Sequence, residues 1–213
     1  MNFLALLLLF WFQYGSSGQP QATDKSQAAT TTAQENAPQY TKDGKLVFPA
    51  NYREWTYVTS GVDMDYNPSP QAMGHTMFDN VFVNPEAYRS FLQNGTWPDK
   101  TVFVLESRMG ESKGSINKAG HYQSTGTMGY AVHLKDEERF GKSGGWAFFG
   151  GQSATEPADY IGPKAPCYSC HQQHAAVDTT FVQFYPTLLP VAQAKKTLSP
   201  SYLKEEAAAA STK

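Results

Sequence analysis

Residues Thr76 to Tyr88 read Thr-Met-Phe-Asp-Asn-Val-Phe-Val-Asn-Pro-Glu-Ala-Tyr, a strand and the start of a helix back to back. Thr76 to Val83 is rich in β-branched and aromatic side chains, which fit a pleated surface. Asn84 then supplies an N-cap, Pro85 the first helical position and Glu86 an acid in the first turn. Ala87, Tyr88, Phe91 and Leu92 form one apolar stripe, and Gly95 ends the helix.

The flanking sequence extends the pattern. Glu54 to Thr59 reads as a strand, and Gly61 to Gly74, with its prolines and acids, as a loop. Thr101 to Leu105 is a strand with both faces partly buried. Met109 to Gly120 carries glycine and lysine and reads as loop. Met128 to Leu134 and Gly145 to Phe149 are two more strands, with one helical turn between them at Asp136 to Phe140. Beyond Gly150 no convincing strand remains. Pro166 leads into a helical spacing over Cys167 to His174. Asp178 is placed to cap a further helix carrying Phe181, Val182, Phe184 and Tyr185, bent or ended by Pro186. Strands first and helices last predict an α+β fold, an antiparallel sheet with a few packed helices and a C-terminal helical segment.

Composition agrees with this. The chain has 213 residues, 17 Lys and Arg against 19 Asp and Glu, and a formal charge of −2. That charge excludes attraction to nucleic acid or an anionic membrane through the overall field. Hydrophobic residues at 40% suffice for a core, and 14% aromatics favour sheet faces and apolar pockets. Two cysteines exclude a disulfide-stapled scaffold.

The ends lie outside the expected domain. An apolar run to Phe12, followed by Gly15-Ser16-Ser17-Gly18, has the layout of a secretory signal peptide over residues 1–18. It is short for a membrane span, although an n-region without Lys or Arg leaves an uncleaved anchor as the alternative. No cysteine stands at the cleavage region, so a lipoprotein is excluded. Residues 19–39 are Gln, Ala, Thr and Ser with little to bury, a flexible linker. The folded domain is expected over 40–203, with 204–213 a disordered, alanine-rich tail. The leader places the protein in the periplasm or outside the cell.

Both cysteines fall in one pentapeptide, Cys167-Tyr168-Ser169-Cys170-His171. C-x-x-C-H is the attachment pattern of c-type haem. Two thiols one helical turn apart can each add to a haem vinyl group, and the adjacent imidazole is carried to the iron. One covalent haem c per chain follows, with His171 the metal ligand, and export agrees with it. A zinc site from Cys167, Cys170, His171 and His174 is more crowded than zinc-finger spacing. A redox dithiol or a simple disulfide remains the third option. The sixth iron position decides between an electron carrier and an open site. Candidates are Met64, Met73, Met77, Met109, Met128, His75, His121, His133 and His174. His174 follows His171 too closely to reach the opposite haem face. A domain that is mainly sheet up to Gly150 points to an open, apolar distal pocket.

Several stretches resemble the cytochrome P-460 family of c-type haem proteins, which includes cytochromes c′-β. They are Leu46 to Trp55, Val81 to Tyr88, Asp99 to Val104, Gly145 to Phe149, the pentapeptide and Phe181 to Pro186, in family order across nearly the whole domain. The resemblance implies a sheet-rich haem fold, a homodimer and five-coordinate, His-ligated iron. Cross-linked members oxidise hydroxylamine, and c′-β members bind NO or CO beneath a hydrophobic cap. The lysine that bonds the porphyrin in cross-linked members falls here on Leu105, which has no nucleophilic nitrogen. The distal carboxylate falls on Ala131 and the distal arginine near Asp79. Lys113 and Lys118, in the nearby loop, are the substitutes the sequence offers.

Phe103 and Leu105 share a strand face by alternation. With Phe78 they are expected to form a dry lid, unless all three are ordinary sheet core, while Glu106 points the other way into solvent. The cofactor-binding set is therefore Cys167, Cys170, His171, Leu105, Phe103, Phe78 and Ala131. Three readings follow: a binder of small diatomic ligands such as NO or CO, an oxidoreductase acting on hydroxylamine or another small nitrogen compound with a soluble redox partner, and an electron carrier with a methionine ligand.

Overall fold

A computed structural model describes residues 36–64 and 74–211. The expected leader, residues 19–35 of the expected linker, and Met73 lie outside these. Among the described residues no helix is long and apolar enough to cross a membrane.

The strands are β1 (Thr56–Val62), β2 (Met77–Val83), β3 (Val102–Glu111), β4 (Tyr122–Gln123), β5 (Gly129–Lys135), β6 (Trp146–Gly151) and β7 (Asp159–Ile161). The helices are α1 (Pro85–Asn94), α2 (Glu137–Phe140), α3 (Pro166–His174), α4 (Leu189–Lys195) and α5 (Pro200–Ala210). The strands form one antiparallel sheet in the order β1-β2-β3-β5-β6-β7, with β4 paired to the far end of β3. The α+β expectation holds, and the pentapeptide lies on α3 after most of the sheet.

Alternation gives the sheet two buried faces. On one, Val81, Val83, Phe103 and Trp146 pack with Phe91, Trp97, Val177, Tyr185 and Leu188 from the helical side. On the other, Val102, Val104, Val132, Leu134, Ala147 and Phe149 pack beneath Leu46, Phe48, Tyr52 and Trp55. The N-terminal segment therefore covers one face and the helices cover the other, which explains the continuous apolar run at the start of β3.

Helix α1 begins and ends where expected, but its first residue acts differently. Asn84 makes no side-chain cap. Its Oδ1 accepts from Val102 N at 2.8 Å and its Nδ2 donates to the Lys100 carbonyl at 3.3 Å, tying α1 to the start of β3. Gly95 takes φ +74° and donates its N–H to Phe91 O at 2.7 Å, a left-handed helix end that suits glycine.

Five expectations need correction. The expected loop after Met109 continues β3 to Glu111 and returns through β4, because backbone pairing does not require an apolar pattern. A short strand, β7, follows Gly150 and pairs with β6. The helix expected after Asp178 is a single 3-10 turn, Val182–Phe184, and Asp178 itself adopts φ +52°. The expected tail is α5 as far as Ala210: the Ser199 hydroxyl accepts from Tyr202 N at 3.2 Å, and alanine favours the helix. At the other end, ordered packing starts inside the expected linker. Asn36 is buried, donating to Glu86 at 3.2 Å and accepting from Asn51 at 3.0 Å and Trp55 Nε1 at 2.9 Å.

Candidate haem site

Helix α3 opens with Pro166 at its first turn and carries Cys167 and Cys170 one turn apart. Both thiols are half-buried and unbonded to each other. Tyr168, between them, fastens the helix to the sheet. Its hydroxyl donates to the Ile161 carbonyl at 3.0 Å and accepts from Phe148 N at 3.3 Å, joining β7 and β6 through one oxygen. Its ring meets Phe148 edge-on at 4.8 Å.

His171 lies one residue beyond Cys170, at the sheet-facing side of α3. Its Nδ1 donates to the Thr179 carbonyl at 2.7 Å, since a carbonyl can only accept. That bond sets the tautomer and leaves Nε2 as the nitrogen available to a metal. Phe181, Phe148 and His133 surround the ring at centroid distances of 4.2, 4.7 and 4.9 Å. Burial holds the His171 imidazole below the usual histidine range, partly opposed by the Thr179 carbonyl. Thr179 is held by its own tight turn, in which Val177 and Thr180 bridge and the Thr180 hydroxyl accepts from Trp97 Nε1 at 2.7 Å.

Against this helix the sheet leaves a cavity of about 280 Å³. Its floor is read directly from the register: Val81 opposite Leu105, Leu105 opposite Ala131, Phe103 opposite His133, His133 opposite Phe148 and Phe148 opposite Ile161. Cys167, His171, Phe181 and Phe184 line it from the helical side. A second cavity of about 670 Å³ runs on along the same face, and Leu105 and Ala131 line both.

Most of the predicted set converges here. His171, Cys167, Leu105, Phe103 and Ala131 line the first cavity, and Cys170 sits one turn along α3. Phe103 is also core, 3% exposed and packed edge-on against Trp97 at 4.8 Å. Phe78 does not belong. It has the opposite parity to Val81 and pairs in register with Arg108, so it faces the N-terminal side of the sheet. Glu106 is also corrected: it is buried, not solvated, at 1% exposure.

The sixth-ligand candidates separate. Met64 lines the first cavity, and Met77 and Met128 line the second. Met109, His75 and His121 line neither. His133 stands beside His171, stacked on Phe148 at 4.1 Å, with Nε2 at 3.1 Å from the Thr179 hydroxyl. A centroid distance of 4.9 Å leaves no room for an iron between two coaxial imidazoles, so it belongs to the packing around His171. Burial, then the neighbouring His171, holds its imidazole well below the ordinary value. His174 turns away to pair with Glu205 on α5. Lys113 and Lys118 lie between β3 and β4 and line neither cavity.

The resemblance set Asp79 near the distal arginine of cross-linked members, but the expected cofactor-binding set omitted it and Ser107, and left the Thr179 carbonyl unassigned. Parity with Val81 and Leu105 would have found the first two once the register was known. The carbonyl has no side-chain signal.

The donor set fits a covalent haem. Two unpaired thiols one turn apart flank an imidazole with Nε2 left open, beside an apolar cavity. It fits zinc poorly, because His174 is engaged elsewhere and, among the described residues, no three His, Cys, Asp or Glu side chains cluster as a metal site.

An antiparallel sheet backing such a helix defines a class, the sheet-rich proteins of haem c. The Cytochrome P460 family model matches residues 49–182, well over half of the chain, and the chain belongs to that family of haem c proteins. No curated protein matches it.

Proposed function

We propose that this is an exported mono-haem protein that binds small neutral diatomic ligands, NO or CO, at an open iron position. The observation that carries this reading is the apolar lining of the cavity beside His171: Val81, Phe103, Leu105, Ala131, Phe148 and Ile161. Bound haem supplies an iron centre able to take a diatomic ligand, with Cys167 and Cys170 as thioether anchors and His171 Nε2 as the protein ligand. The residues of the chain orient the imidazole through Thr179, keep the pocket dry and favour uncharged ligands. Leucine at 105 supplies no cross-linking amine, which weighs against hydroxylamine oxidation of the cross-linked kind. Among the described residues β1 is an edge strand of the sheet, which supports a homodimer.

The test is the absorption spectrum of the haem-loaded protein, ferric and ferrous, with and without CO. A ferrous high-spin spectrum that shifts sharply with CO is the expected result. A low-spin ferrous spectrum indifferent to CO overturns it.

One observation favours a second reading, an electron carrier with Met64 as sixth ligand. Among the described methionines, Met64 is the one lining the cavity beside His171. It lies over Gly61, where an added Cβ would approach its Sδ to 2.6 Å. A low-spin spectrum that turns high-spin in Met64→Leu would establish this reading.

A further inference from the structure

The cavity beside His171 carries one acidic side chain. Asp79 on β2 and Ser107 on β3 are register partners, in the same parity as Val81 and Leu105. Asp79 lines the first cavity and Ser107 the second. The pair therefore stands beside Leu105 and Ala131, where the two cavities meet. The Ser107 hydroxyl donates to Asp79 Oδ1 at 2.5 Å. Among the described residues Asp79 forms no ion pair, and Oδ2 takes no hydrogen bond from the protein.

The other acids nearby are accounted for differently. Glu106, next along β3, faces the opposite side and is paired with Arg53 and Arg108. Asp159 and Glu156 line the larger cavity; Asp159 pairs with Lys45 at 2.8 Å, and Glu156 is exposed to solvent. Asp79 is thus a carboxylate on a largely apolar floor, held in orientation by one hydroxyl and, among the described residues, without a compensating cation. A carboxylate accepts hydrogen bonds and donates none. Asp79 is half-buried, and its charge faces whatever enters the apolar side of the cavity.

We propose that the Asp79–Ser107 pair is the ligand selector of this pocket, disfavouring anions and favouring neutral ligands that carry an N–H or O–H. This rests on the reading that ligands enter the cavity beside His171. Ser107 acts as a positioning residue, fixing Oδ1 so that Oδ2 is presented to the ligand.

The test uses the haem-loaded full chain and three probes read by absorption: azide and, without an electron acceptor, hydroxylamine on the ferric protein, and CO on the ferrous protein. Asp79→Asn keeps the shape and removes the charge. It is expected to raise the ratio of azide to CO affinity by about five- to tenfold. It is expected to lower the ratio of hydroxylamine to CO affinity by about tenfold. Ser107→Ala keeps the charge, so azide stays weak while hydroxylamine loses a smaller factor. Unchanged ratios in Asp79→Asn overturn the proposal, as do three affinities that move by one common factor, which marks a reshaped cavity. CO binding by the wild type separates the two levels: with it, unchanged ratios refute the selector alone, and without it the open-site reading fails and takes the selector with it.

Discussion

Removing the Glu106 carboxylate should destabilise the sheet beneath the site more than any surface change. Glu106 lies between Leu105 and Ser107 on β3, so the network that holds it also holds the strand presenting both residues to the cavities. Arg108 grips it with two nitrogens, Nε at 2.6 Å and Nη2 at 3.2 Å, and Asn80 donates at 3.3 Å. The Tyr52 hydroxyl and Arg53 complete the set. Arg53 is half-exposed and contributes little after solvent screening, whereas the Arg108 side chain is 12% exposed. Truncation leaves a largely buried guanidinium and a buried phenol without their acceptor. Glu106→Ala is therefore expected to cost about 3–5 kcal/mol, and Glu106→Gln, which keeps one acceptor, less.

Burial works against the Glu106 charge, but hydrogen bonds from Arg108 and Tyr52 and the charges of both arginines outweigh it and hold the carboxyl below its ordinary value of 4.5. With the folded value depressed, the stabilisation is complete above the unfolded value and is lost as pH falls through the folded one. Urea unfolding of the haem-loaded protein, followed by far-UV circular dichroism at neutral pH and near pH ~3, measures both effects. A loss under about 1 kcal/mol for Glu106→Ala at neutral pH would refute the network argument. So would a gap between wild type and Glu106→Gln that fails to narrow in acid.

Tyr168→Phe keeps the ring contact with Phe148 but removes the hydroxyl that joins β6 to β7, so a loss of about 1–2 kcal/mol is expected, read as a lower urea midpoint. No change there would mean that α3 is held by ring packing alone. Ser199→Ala removes the cap of α5, and about 1 kcal/mol of stability should go with it; amide exchange in residues 200–210 that stays as slow as in the wild type counts against this. Met64→Leu should leave the ferrous spectrum high-spin and CO-responsive if the iron position is open, and a spin change caused by this variant would contradict the ligand-binding reading.

Much of the chemistry was legible because it is local. The spacing of Cys167, Cys170 and His171 needs only one helical turn to be meaningful, and Pro166 marks where that turn starts. Pro85 located the start of α1, because its fixed φ suits the first helical position, and Gly95 its end, because it takes the left-handed conformation there, although Asn84 ties α1 to β3 instead of capping it. Leu105 and Phe103 were correctly placed on one face, since alternation holds within a strand.

What failed depended on partners distant in sequence. Phe78 and Asp79 both lie in a strand that is apolar on each side, and only the pairing of Val81 with Leu105 decides which of them meets the cavity. Glu106 looked solvent-facing because its arginines come from a 3-10 turn and from two residues further along its own strand. The expected linker and tail were judged by composition, yet Asn36 finds Asn51, Trp55 and Glu86, and α5 finds a cap in Ser199 and a contact at His174.

By itself, the sequence determined the α+β class, the two thiols and imidazole of the haem motif, and the absence of a lysine at 105, all properties of residue type and short spacing. Only the tertiary structure decided which strand face meets α3, that Thr179 orients His171, and that Asp79 and Ser107 share the cavity floor. Those depend on sheet register and on helices folding back across the sheet, and no local pattern encodes either.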